Sequence, residues 1–186
     1  MNRRKFLHDS ALGAIGFSLL NKNLACSRVK TRPKPGLGVA LVGLGYYSTD
    51  LLAPALQLTQ NCYLAGIVTG SPEKAERWQK QYNIPEKNIY NYQNFDKIAD
   101  NPAIDVIYIV LPPSMHAEYV VRAAGLGKHV WCEKPMAVTV AECERMITAC
   151  EKNKVQLSIG YRMHHEPNTQ TIMGFAKTKP YGNIQK

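Results

Sequence analysis

Two short stretches of the chain carry residue types that could do chemistry together. The first is Gly43-Leu44-Gly45-Tyr46-Tyr47-Ser48, which follows the apolar run Val39-Ala-Leu-Val42 directly. Gly43 permits a tight turn off a strand. Gly45 has no side chain, so a pyrophosphate can approach the backbone, and the N–H groups of a following helix start would point at that anion. Ser48 stands where a third glycine is usual, which predicts looser helix–strand packing without blocking a phosphate. The second stretch is Trp131-Cys132-Glu133-Lys134-Pro135. A lysine amine at a strand end can hold a substrate hydroxyl through its three donors. Leu111-Pro112-Pro113-Ser114-Met115-His116 supplies a loop poor in N–H donors, with His116 at the next helix start and expected to face the crevice. Arg162, just past the last apolar run, is a further candidate to face a substrate.

The choice of nucleotide rests on Val68-Thr69-Gly70-Ser71 and on Lys74 and Arg77 beyond it. Dinucleotide-binding folds that take NAD usually place a carboxylate at the end of the second strand, to bond the adenosine 2′-OH. No Asp or Glu stands there. A hydroxyl, a helix start and two cations could meet a 2′-phosphate instead, which favours NADP and leaves NAD open.

The elements that must position these residues follow from the apolar pattern. Strands are predicted at 38–43, 63–69, 106–111, 129–133 and 155–160, with a short one near Ile89-Tyr90. Helices are predicted between them at 50–59, 72–82, 115–126 and 140–153. Strand then helix, repeated, is the signature of an α/β fold whose parallel sheet carries helices on both faces. Ser71 before Pro72 reads as a helix cap, Thr139-Val-Ala-Glu142 has capping-box spacing, and Gly125-Leu-Gly127 breaks a helix.

The 186 residues are 45% hydrophobic and 20% charged, which argues against disorder and leaves room for one domain with a good core plus part of another. The formal charge of +9 is not spread. Residues 1–34 hold eight Lys and Arg and a single acid, Asp9, so this leader carries +7 and the remainder +2. A basic leader with a balanced body argues against a nucleic-acid surface. Arg3-Arg4-Lys-Phe6-Leu7 before the apolar run 11–20 resembles a twin-arginine export signal, which implies a periplasmic protein. Leu24-Ala25-Cys26 is a candidate lipidation site, although Asn23 stands where Leu is usual. The five cysteines form no CxxC pair, and the adjacent His164-His165-Glu166 would point apart on a regular element, so no metal site is expected.

The motifs Gly43-Leu-Gly45, Leu111-Pro-Pro-x-x-His116, Gly127-Lys-His-Val-Trp-Cys-Glu133-Lys134-Pro and Gly160-Tyr-Arg162 together resemble the Gfo/Idh/MocA oxidoreductases. Residues 85–98 and the Thr69…Lys74 spacing resemble the glucose–fructose oxidoreductase subgroup, and the resemblance runs from Leu37 to Asn168.

The resemblance implies a Rossmann-like doubly wound sheet and hydride transfer between a nicotinamide dinucleotide and a sugar or polyol C–OH. It implies that Lys134 positions or polarises the reacting oxygen, that Glu133 supports Lys134, and that His116 lines the nicotinamide pocket. The cofactor contacts would come from Gly43 to Tyr47, Thr69, Gly70, Ser71, Lys74, Leu111, Pro112, Glu133 and Lys134. Family members carry a second domain with most sugar contacts, a further acid/base residue and an open sheet that dimerises. Residues 1–36 then read as signal and linker, 37–163 as the dinucleotide domain, and 164–186 as the start of that second domain. Its first helix is expected at 169–177 and a strand from Gly182. An oligomer is expected only of a full-length chain. A nucleotide-binding module without turnover, or an exported interaction protein on the same scaffold, is the alternative.

Overall fold

A computed structural model describes residues 36–180 and 182–183. The expected export signal, the Cys26 site and most of the strand expected from Gly182 lie outside the described residues. Six parallel strands form one sheet: β1 (Leu37–Val42), β2 (Cys62–Val68), β3 (Ile89–Tyr90), β4 (Val106–Ile109), β5 (His129–Cys132) and β6 (Leu157–Ile159). Their spatial order is β3-β2-β1-β4-β5-β6, so the chain winds outward from β1 in both directions. This is the Rossmann order, and the reversal between β1 and β4 leaves a crevice at the strand carboxyl ends.

Alternation along the central strand explains the two helix layers. On one face Ala40 and Val42 join Ile107, Ile109, Val130 and Cys132. That face is covered by α3 (Pro113–Gly125) and α4 (Val140–Lys152), through residues such as Val120, Ala123 and Met146. On the other, Val39, Leu41 and Ile67 pack under α1 (Ala53–Leu58) and α2 (Pro72–Tyr82), with Trp78 fully enclosed. Strands buried on both faces read as continuous apolar runs, as parallel strands do.

The helix signals act as expected. The Ser71 hydroxyl accepts the Lys74 N–H at 3.3 Å, and Thr139 and Glu142 form a reciprocal capping box. Two boundaries differ. The helix expected from Asp50 begins at Tyr47 as a π-helical turn, Tyr47–Leu52, in which Ala53 N–H reaches back five residues to the Ser48 carbonyl. Pro54 has no N–H to give the ordinary α-helical bond to Asp50, so the regular α-helix starts only around it. The strand expected from Val155 starts at Leu157 because Val155 N–H is spent on the Cys150 carbonyl, closing the end of α4, with Lys154 at φ 55°. Beyond β6 a short turn (Arg162–His165) leads to α5 (Pro167–Thr178), which buries none of its residues.

Candidate active site

The glycine loop is set by sterics before any ligand is considered. Gly43 sits at φ 90°, and a Cβ there would lie 2.3 Å from the Val110 carbonyl oxygen, so only glycine lets β1 turn beside β4. A Cβ at Gly45 would project into open space, which leaves the backbone there open to an approaching pyrophosphate. Ser48 corrects the expectation of loose packing. It is fully buried, and its hydroxyl donates to the Gly43 carbonyl at 2.6 Å. A polar side chain does by hydrogen bonding what a third glycine does by close approach. Leu44 drops its side chain into the core, Tyr46 is 74% exposed, and Tyr47 lines the crevice.

At the far end of β2, Thr69 is buried and its hydroxyl accepts the Ser71 N–H at 3.2 Å. Gly70 is exposed, and the Tyr92 ring lies close enough to meet a Cβ there at 3.2 Å. Lys74 does not project freely. Its Nζ donates to the Leu44 carbonyl at 2.9 Å, which ties the start of α2 to the glycine loop. The cation therefore sits between the glycine loop, which the sequence assigns to the pyrophosphate, and the end of β2, which it assigns to the adenosine 2′ position.

The reacting end is a cleft of ≈ 1010 Å³ lined by Tyr47, Leu111, Glu133, Lys134, Gly160 and Arg162, among others. One cleft thus gathers the glycine-loop side, the end of β4, the end of β5 and the segment after β6. Lys134 is exposed to it, and its bond to Pro135 is cis. Glu133 is nearly buried. Its Oε1 accepts the Tyr108 phenol at 2.5 Å, and its Oε2 accepts the Lys134 N–H at 3.2 Å. Burial and then this carboxylate push the Tyr108 phenol far above its ordinary range, so it stays a donor. Burial, helped by the Glu133 charge, pushes the neighbouring Cys132 thiol up to about 12.

His116 is where the geometry departs most from expectation. It does not face the crevice, and its side chain is fully buried. Nε2 lies 2.8 Å from the Leu111 carbonyl, and Nδ1 lies 2.9 Å from the Pro135 carbonyl and 3.3 Å from that of Met136. The ring straps the loop after β4 to the loop that carries Lys134, so it is a positioning residue. Pro112 caps α3 and is exposed beside this strap. Sequence reasoning missed Tyr108 and Tyr92. The signal for Tyr108 was a single polar tip in the apolar run Val106-Ile-Tyr-Ile109, which strand periodicity alone does not mark as a site residue. Among the described residues no three His, Cys, Asp or Glu gather as metal ligands.

With this geometry in place, the comparisons with known proteins are specific. Residues 37–161 match the Gfo/Idh/MocA model, described as an oxidoreductase family with an NAD-binding Rossmann fold, and the chain belongs to that family. It is 37% identical over 128 residues to the NADP-dependent D-xylose 1-dehydrogenase of Haloarcula marismortui, covering 69% of this chain and 35% of that one. Inositol 2-dehydrogenase of Salmonella paratyphi B is 28% identical over 131 residues, covering 70% of this chain and 38% of that enzyme. Among solved structures, the aldose–aldose oxidoreductase of Caulobacter crescentus superposes with a TM-score of 0.76 at 44% identity, covering 77% of this chain and 43% of that one. The chain therefore spans between a third and a half of the length of these relatives.

Proposed function

We propose that the chain forms the nucleotide-binding part of an NADP-dependent oxidoreductase that acts on a sugar or polyol C–OH. The observation that carries this reading is the cleft lined both by Tyr47, which follows directly on the glycine loop, and by Lys134. The residues present suit a dinucleotide: a bare loop backbone at Gly45, a helix start beside it, and a β2 end without a carboxylate. When bound, the nicotinamide ring supplies the hydride chemistry. The chain's own residues do the rest. The loop N–H groups hold the pyrophosphate, and Lys134 positions or polarises the reacting hydroxyl oxygen. Arg162 offers a second charge on the same cleft, and His116 keeps the Lys134 loop in place. Relatives named as acting on xylose, inositol and aldoses support a polyhydroxylated substrate.

Calorimetric titration of both nucleotides tests the cofactor. A charge-assisted contact to the 2′-phosphate is worth about 1.5–3 kcal/mol, so NADP should bind roughly ten- to a hundredfold more tightly than NAD. Lys74→Ala should abolish that preference. Equal affinities, or a preference that survives the substitution, sink the assignment of Lys74.

The basic leader is read as a twin-arginine signal that directs residues 37–186 to the periplasm, with Cys26 as the candidate lipid anchor. On this reading 1–36 is leader, 37–163 the dinucleotide domain and 164–186 the entry to a sugar-binding domain through which full-length chains associate. Replacing Arg3 and Arg4 by Lys should hold the protein in the cytoplasm on fractionation. An unchanged periplasmic yield would remove the export reading.

A further inference from the structure

The sheet face under the cleft carries a polar group that the proposed chemistry has not used. Tyr108 on β4 is in register with Trp131 on β5, which is in register with Ser158 on β6. This row faces a cavity of ≈ 360 Å³ bounded above by Tyr47, Tyr161 and Arg162. The Trp131 ring stands edge-on to Tyr108 at 5.7 Å, which leaves the phenol little freedom to turn. Its hydroxyl reaches the Glu133 carboxylate at 2.5 Å, at the short end for a neutral donor on an anion.

The carboxylate is bounded on more than one side. Gly160 stands so close that a Cβ there would lie 2.8 Å from Oε1, so the third strand end is shaped around the anion. Oε2 accepts the Lys134 N–H. The Glu133 N–H itself is spent on the Ile109 carbonyl, which ties the residue to β4. Tyr108, Cys132 and Tyr47 feel the Glu133 charge, and Lys134 and Arg162 line the same cleft. Without the phenol, a nearly buried carboxylate keeps one backbone donor.

We propose that Tyr108 is a second positioning residue of the reacting end, beside His116: its phenol pins the Glu133 carboxylate, and through that carboxylate the backbone of Lys134. This rests on the reading of Lys134 as the amine that meets the reacting oxygen, but its test does not need turnover. In the 186-residue chain, Tyr108→Phe keeps the ring and its contact with Trp131 and removes only the hydroxyl. Amide hydrogen exchange by NMR should then speed up at Lys134 by about tenfold or more. The Ile107 and Ile109 amides should stay within about twofold, and the melting temperature within a few degrees. In a Glu133→Ala background, where the carboxylate is already gone, adding Tyr108→Phe should have no further effect at Lys134. An unchanged Lys134 amide overturns the proposal. So does acceleration of all three amides together, which would make Tyr108 a packing residue, and so does additivity of the two substitutions. Failure of the chain to take up NADP would remove the proposed function and leave the exchange result standing on Tyr108.

Discussion

Ser48 and Cys132 show how far a single position can depart from its type. Ser48 works as a glycine substitute because its hydroxyl closes on the Gly43 carbonyl in a fully enclosed place. Ser48→Ala leaves that carbonyl without its donor and should cost about 0.5–1.5 kcal/mol in urea unfolding, whereas a surface serine would cost nothing measurable. Cys132 is packed against the sheet, with the Glu133 charge next to it. Its thiol stays protonated and should resist iodoacetamide at pH 8, while the half-buried Cys62 and Cys143 react first. Mass spectrometry of the labelled peptides checks the order. The linkage has a definite sign. The folded state keeps this proton up to about 12, whereas an ordinary thiol loses it near 9, and Tyr108 is shifted in the same direction. Stability is thus full below pH 9 and falls as the pH rises through that window, which denaturant midpoints at pH 8 and pH 10.5 would show.

At the scale of elements, the loops after β4 and β5 act as one unit because His116 joins them. His116→Phe fills much of the same space and leaves the Leu111 and Pro135 carbonyls without that partner. The loss should be about 1–3 kcal/mol in all, with the Lys134 loop released. Proteolytic nicking near Pro135 that increases well before the melting transition would be the sign of it. A variant as stable and as resistant as the parent would show that the strap is dispensable. The glycine-loop helix makes a second composite unit. Its first turn is widened by Pro54, and Lys74 crosses from α2 to hold the loop that precedes it.

For the whole molecule, the described residues line the cleft from four segments but leave its reacting end open to solvent. Lys134 and Arg162 are exposed on it, and α5 buries nothing while Ile172, Met173 and Phe175 stand 65%, 45% and 42% exposed. Hydride transfer needs the reacting carbon held about 3–3.5 Å from its partner in a place that excludes water. The 186-residue chain is therefore expected to bind NADP weakly and to show no sugar-dependent reduction of it by nicotinamide fluorescence. Clear turnover would mean that this open cleft suffices. Clustered apolar side chains on α5 should also promote association, and Ile172→Lys with Phe175→Glu should shift the light-scattering profile toward monomer.

The strand–helix alternation, the helix caps at Ser71 and Thr139, and the placing of the Gly43 and Lys134 motifs at strand ends were all legible in the residues. Local rules govern them: apolar period, capping geometry, and the conformational reach of glycine and proline. These determined the α/β class and the family. What the residues alone could not tell was which way side chains face once strands pair. His116 and Tyr108 both lie in apolar surroundings, and nothing in their spacing separates a residue that lines a cleft from one that braces it. The pairing of β4 with β5 decided that, because it brought the Pro135 carbonyl onto one ring and the Glu133 carboxylate onto the other. Contacts between residues 19 and 25 positions apart in the chain arise only when the sheet closes, and the roles at the reacting end are set by those contacts.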